Sequence, residues 1–294
     1  MKKLFISILA SASILFAGHV NFQGGSNSNP EIHASKKAPS NQPQLKFVND
    51  GSEAASSFFS GQDIMKQMLQ IEIKGTEKQK AEQVKKLVSL IEKAMSYYSA
   101  AASKSKKWKF SASIQMANLF LIMAEKVKNQ ERRAKTEKEQ FAEEIAILQQ
   151  LPFYYDQARP IFQKALDQAR EQGVQNEYTQ ALEAYYIQTY YNECDLFRNV
   201  AEAFNNAPLP DSTEIVAEYI AEGKAKPVAI KAAHEDLEGY REELNKKYKE
   251  AKEIAIPRCT TGIKAAKHYG IKNQQVNQLY KLLGILDPNN PNLR

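Results

Sequence analysis

From residue 76 onward, apolar side chains recur every three or four positions, the spacing of amphipathic helices. Ala81, Val84, Val88, Ile91, Met95 and Tyr98 form one such stripe. Thr76, with Gln79 three residues later, offers a capping box just after Gly75, so a helix is expected over 76–102. A second stripe runs over about 110–150 through Phe110, Ile114, Ala117, Leu121, Ala124 and Val127. After a polar stretch it resumes at Phe141, Ile145 and Leu148, and Pro152 is read as its stop. The polar run 129–140 is read as a solvated helix face.

Asp156 and Pro160 mark the expected start of a helix that ends at Gly173, and a tyrosine-rich helix follows over 176–206. Asp211 or Ser212 caps a short helix ending at Gly223. Pro227 opens a long one through Ile230, Ala233, Leu237, Tyr240, Leu244, Tyr248 and Ala251, with Pro257 read as its end. Two shorter helices, over 260–269 and 273–286, complete the pattern. No segment alternates with period two for long, and there is no Asn-Gly or Asp-Gly hairpin signal. The expected fold is all-α: long antiparallel helices joined by short Pro- or Gly-marked turns, in a bundle or an irregular helical-hairpin array.

The first sixty residues differ. Lys2 and Lys3 precede a short apolar run from Leu4 to Phe16, ending in small residues at Ala17 and Gly18. The run is too short to span a bilayer and fits a secretory signal peptide over 1–18; an uncleaved anchor is the rival reading. No cysteine lies near the cleavage region, so a lipoprotein is not expected. Residues 19–60 are rich in Gly, Ser, Asn, Gln and Pro and read as a disordered tether, leaving 61–294 as the helical domain, with a possible sub-boundary near 151–155. The chain is therefore expected to be exported, to the periplasm, the cell surface or beyond.

Charge adds little. Without Lys2 and Lys3 the count is 38 bases against 34 acids, so the formal charge falls from +6 to +4. That mild excess suits slight attraction to anionic surfaces, and interleaved acids together with export make nucleic acid a poor partner.

Catalytic chemistry is sparse. His234 begins His-Glu-Asp-Leu-Glu, but no second histidine follows at i+4, so the zinc-protease helix is absent. His268 near a helix end suits a favourable dipole contact. There is no Gly-rich phosphate loop, no G-x-S-x-G and no C-x-x-C. Adjacent acids such as Glu143/Glu144 and Glu242/Glu243 diverge by about 100° on a helix and do not converge on a substrate. The expectation is no enzyme, no cofactor and no metal.

Three features are candidate sites. The stretch 183–197 carries Tyr185, Tyr186, Tyr190 and Tyr191, either as a partner-binding aromatic groove or as core packing. On a wheel, Leu182, Tyr186, Tyr190, Phe197, Val200 and Phe204 fall in one sector about 80° wide, with Ile187, Tyr191 and Cys194 in a second. An arc that broad belongs to a helix with neighbours on more than one side. Cys194 and Cys259 form an even pair that is either a disulfide or two buried thiols. Lys106, Lys107, Trp108 and Lys109 form a basic-aromatic cluster, which suits either an anionic or membrane surface or a turn with the ring tucked inward.

One resemblance bears on function. Ala158-x3-Phe162-x2-Ala165 and Ala94-x3-Tyr98-x2-Ala101 resemble the second-helix spacing of tetratricopeptide repeats, and Leu286-Asp-Pro-Asn-Asn-Pro291 looks like the turn that closes such a repeat. The resemblance covers residues 140–290 at most, and Ala142, Ile145, Ala146 and Gln149 stand where the first-helix motif has Trp, Leu, Gly and Tyr. It implies stacked helical hairpins that bind a protein partner. The expected function is thus an exported helical scaffold. The alternative is a membrane- or wall-associated protein using the cluster around Trp108, and the third reading is an all-α enzyme without a recognisable motif.

Overall fold

The computed structural model describes residues 45–293; the expected signal peptide at 1–18 and the expected tether as far as residue 44 lie outside them. Among the described residues there are nine α-helices, one closing 3-10 turn and no strand, so the fold is all-α.

Helix α1 (Glu53–Gln70) begins where a tether was expected to continue to residue 60. The Ser52 hydroxyl accepts from Ala55 N at 3.1 Å, and Ala54, Ala55 and Phe58 are buried on α2. A short apolar face inside a polar segment is enough once a neighbouring helix covers it. Helix α2 (Glu77–Lys104) starts with the expected Thr76/Gln79 capping box. One extended residue, Ser105, separates it from α3 (Lys106–Lys128).

The long second pattern is not continuous. Residues 129–136, expected as part of a helix face, form a loop held by carboxylates. Glu143 accepts from Arg133 N and Ala134 N (3.0 and 3.1 Å), and Glu131 accepts from Gly75 N at 2.6 Å. Helix α4 (Glu137–Leu148) then restarts at a Thr136/Glu139 capping box. The pattern ends where expected, at Leu148, and Pro152 lies in the first turn of the next helix, α5 (Leu151–Glu171), where its missing N–H costs nothing.

Two prolines read as helix boundaries lie inside helices. Pro160 is within α5, and Pro257 is within α8 (Lys226–Tyr269), which runs unbroken for 44 residues through the expected stop and the separate 260–269 helix. Both prolines are exposed, and so are Asp156 and Glu253, whose carbonyls lose their helical partner. Water can replace that bond, so tertiary packing carries the helix through.

Between them lie α6 (Glu177–Asn205), capped by Asn176, and α7 (Ser212–Ala221), capped by Asp211. Gly270, in the left-handed region at φ 63°, ends α8, and α9 (Gln274–Leu286) follows.

Two hydrophobic clusters form the core. Phe58, Tyr98, Trp108, Leu119 and Met123 belong to one, and Phe162, Leu182, Ile187, Ile263 and Leu279 to the other. Helices α3 and α6 contribute to both. Trp108 and Leu119 of α3 face the first cluster, and Phe110 and Ile114 face the second. Leu196 and Val200 of α6 face the first, and Leu182 and Ile187 the second. The broad apolar arc of the tyrosine helix thus reflects its position: α6 packs on α3, α4, α5, α8 and α9. Helix α5 also contributes to both, with Leu151 and Tyr155 in the first cluster and Ala158 and Phe162 in the second. Ala158, Phe162 and Ala165, and Ala94, Tyr98 and Ala101, are all buried helix contacts, a role any close helix pair gives them.

Candidate functional site

The tyrosine stretch of α6 sits on a polar seam where α5, α6 and α8 meet. Tyr186, only 3% exposed, packs edge-on against Tyr190 (ring centroids 5.3 Å) and Tyr269 (5.6 Å). Its hydroxyl lies 3.2 Å from that of Tyr190. Tyr269 donates to Asp167 at 2.5 Å and carries the Arg170 guanidinium over its ring. Burial first, then the contact with Tyr190, pushes Tyr186 far above the usual tyrosine range, and burial pushes Tyr269 up to about 12.

The charged centre of the seam was not among the candidate sites read from the sequence. Arg159 of α5 is buried and donates to Asp156 (2.7 Å), to the Thr189 hydroxyl (3.2 Å) and to Glu193. Its guanidinium also lies 4.5 Å over the Tyr190 ring. Glu193 is fully buried, and its other carboxylate oxygen is 3.3 Å from Arg258 Nε of α8. Burial pushes the Glu193 carboxyl above the ordinary carboxylate range, against the pull of the two arginines. Next to this pair, Cys194 and Cys259 form a disulfide with Cα atoms 5.2 Å apart. Gly262 permits the approach: a Cβ there would lie 2.6 Å from Tyr190 Cβ and 2.8 Å from Leu279.

The sequence did carry a signal for this arrangement. Glu193 precedes Cys194 and Arg258 precedes Cys259, so bridging the cysteines brings an acid and a base together. With Glu193 sealed and Tyr186 in the core, neither can meet a substrate unless the helices separate. The seam's chemistry is to hold three helices in register. Tyr185 stacks on Phe162 (6.0 Å, 2° between planes), and Tyr185, Tyr190 and Tyr191 are half-buried.

The basic cluster is divided. Trp108 is 3% exposed and packs on Phe58 (4.7 Å) and Phe59 (6.0 Å). Lys107 pairs with Asp50 at 2.7 Å, and this bond holds the Asp50 carboxyl far below the usual range. Lys106 faces solvent, and Lys109 is half-buried. Any contact with an anionic surface at this place would be made by lysines, without the indole.

The least covered part of the fold is the hairpin of α7 and the first half of α8. Phe204, near the end of α6, meets Lys247 of α8. Residues 226–244 therefore extend beyond α6 by about 27 Å at 1.5 Å per residue. Over that length α8 buries only Ala229 and Ala233, and α7 buries nothing completely. Tyr219 clamps the two helices, donating to Asp236 at 2.5 Å beneath the Lys224 ammonium. At the tip, Ile220, Val228 and Ile230 are 44%, 56% and 50% exposed. The loop that the disulfide closes contains the whole arm.

Among the described residues, no group of three or more His, Cys, Asp or Glu is placed to hold a metal ion, and no helix is long and apolar enough to cross a membrane. No protein-family model matches the chain, and comparison with curated proteins and with solved structures yields no match.

Proposed function

We propose that the protein is an exported helical scaffold that binds a protein partner, and that the α7–α8 arm is the surface it uses. The observation that carries this reading is the arm itself. Three large aliphatic side chains stand exposed at the tip of a hairpin that extends past the core. Apolar side chains left uncovered on an element that projects past the core are available to a partner. Below the arm, the disulfide and the Arg159–Glu193–Arg258 cluster clasp α6 to α8, the helix that continues into the arm. Export is supported by the N-terminal sequence pattern and is compatible with the disulfide.

The test is photo-crosslinking in intact cells from a reactive residue placed at Val228, with Lys281 of α9 as the control position. A discrete adduct from Val228 that is absent from Lys281 supports the reading. No adduct from Val228 overturns it.

A further inference from the structure

The charge of this chain is strongly segregated in space, although its total is modest. The arm, residues 208–243, carries nine acids and four bases, a net of −5. Helices α2 and α3, residues 77–128, carry eleven bases and four acids, a net of +7. The outward face of α2 presents Lys78, Lys85, Lys86 and Lys93, all exposed and in no ion pair among the described residues. Glu82 and Glu92 share that face, leaving lysine in excess. Along α7 and its C-cap, Glu214, Glu218 and Glu222 follow at i, i+4 and i+8, so they form an acidic stripe down one side. Of the three, only Glu222 has an ion-pair partner among the described residues, Lys224 at 3.9 Å.

These two surfaces do not satisfy each other within one molecule. Helix α2 packs on α1 and α3, whereas α7 packs on α8. We infer that the partner of the arm is a second copy of this chain, whose α2 lysine face receives the acidic stripe of α7. The inference rests on the arm being an interaction surface, as proposed above. Opposite fields steer and orient the encounter. Exposed ion pairs add little affinity by themselves. The aliphatic tip supplies apolar contact, and the long lysine stems offer methylene surface to it. Because arm and face are different patches, the contact is heterologous: it grows head to tail, or closes when two copies exchange arms.

The experiment is sedimentation velocity of the purified, oxidised chain at about 50 mM and about 500 mM salt, where screening lengths are roughly 14 Å and 4 Å. Two charge-reversed variants are compared with it: Glu214→Lys/Glu218→Lys on the arm, and Lys85→Glu/Lys86→Glu/Lys93→Glu on the face. The wild type associates at low salt, and its association constant falls at least about tenfold at high salt. Each variant alone is monomeric. Mixing the two restores association, because the basic arm of one then meets the acidic face of the other; this also shows that both are folded. A wild type that stays monomeric at low salt overturns the inference, as do variants that associate like the wild type. The Val228 crosslink separates the two proposals. An adduct of two chain masses supports both. An adduct of another mass from a chain that is monomeric when purified overturns self-association and keeps the arm as an interaction surface. No adduct removes both.

Discussion

Breaking the Cys194–Cys259 disulfide tests how α6 and α8 are clasped, and the size of the effect follows from the chain. The cysteines are 65 positions apart, so the bridge closes a loop of 66 residues counting both ends. On the chain-entropy account, such a loop removes about 15 cal/mol/K from the unfolded ensemble, or about 4 kcal/mol at room temperature. For a chain of this size, each kcal/mol moves Tm by about 2–4 °C, so the loss is expected to lower Tm by about 8–16 °C. Both cysteines are fully buried, so reductant reaches them only after α6 and α8 part, and the reduced protein is best prepared by refolding with reductant present. Oxidised protein, reduced protein and the Cys194→Ala/Cys259→Ala variant are compared by thermal and guanidinium denaturation followed by circular dichroism. The reduced form isolates the crosslink, because its sulfur atoms still fill the same space. A Tm within about 2 °C of the oxidised form would show that the bridge does not clasp the loop, refuting the reasoning.

Three further substitutions and titrations probe the interior. Arg159→Ala leaves the fully buried Glu193 with only the partly exposed Arg258, and is expected to cost about 3–5 kcal/mol by denaturant unfolding; a loss under about 1 kcal/mol would show that the pair is solvated. Tyr98→Phe is expected to be neutral or to stabilise by about 1 kcal/mol, since the Tyr98 hydroxyl is buried without a hydrogen-bond partner among the described residues; a clear loss would mean that the hydroxyl is satisfied. Burial pushes Tyr154 and Tyr269 up to about 12, and Tyr155 and Tyr186 also rise. Their folded values exceed the unfolded value of about 10, so their contribution is complete below about pH 10 and is lost as pH climbs towards 12. Tyrosinate absorbance and unfolding should therefore appear together in an alkaline titration; full ionisation of a chain that stays folded would contradict this.

Helix identity was largely legible in the sequence because it rests on local chemistry. Thr76 with Gln79, Asn176 and Asp211 cap helices where their side chains indicate, and Gly173, Gly223 and Gly270 take positive φ near helix ends. The misplaced boundaries have one common cause, that packing overrides local signals. Pro160 and Pro257 break helices in isolation, but here they and the residues four before them are exposed, while both helices are packed against α6. Helix α1 escaped notice because its anchors, Ala54, Ala55 and Phe58, acquire meaning only once α2 and Trp108 lie beside them. The centrality of α6 was visible on its helical wheel. Arg159 was not assignable, because nothing in its own segment marks a partner 34 residues away. The arm shows in sequence only as a normal amphipathic pattern; that α6 ends at Asn205 and leaves it uncovered is a tertiary fact.

The most direct measurement of the central claim is the intact-cell crosslink from Val228, made in the native chain and again with Ile220→Asp/Ile230→Asp at the tip of the arm. The expected result is a discrete adduct from Val228, none from Lys281, and loss of the adduct when the two aspartates replace the isoleucines. No adduct from Val228, or the same adducts from Lys281, would contradict the assignment of the arm as the surface through which this protein works.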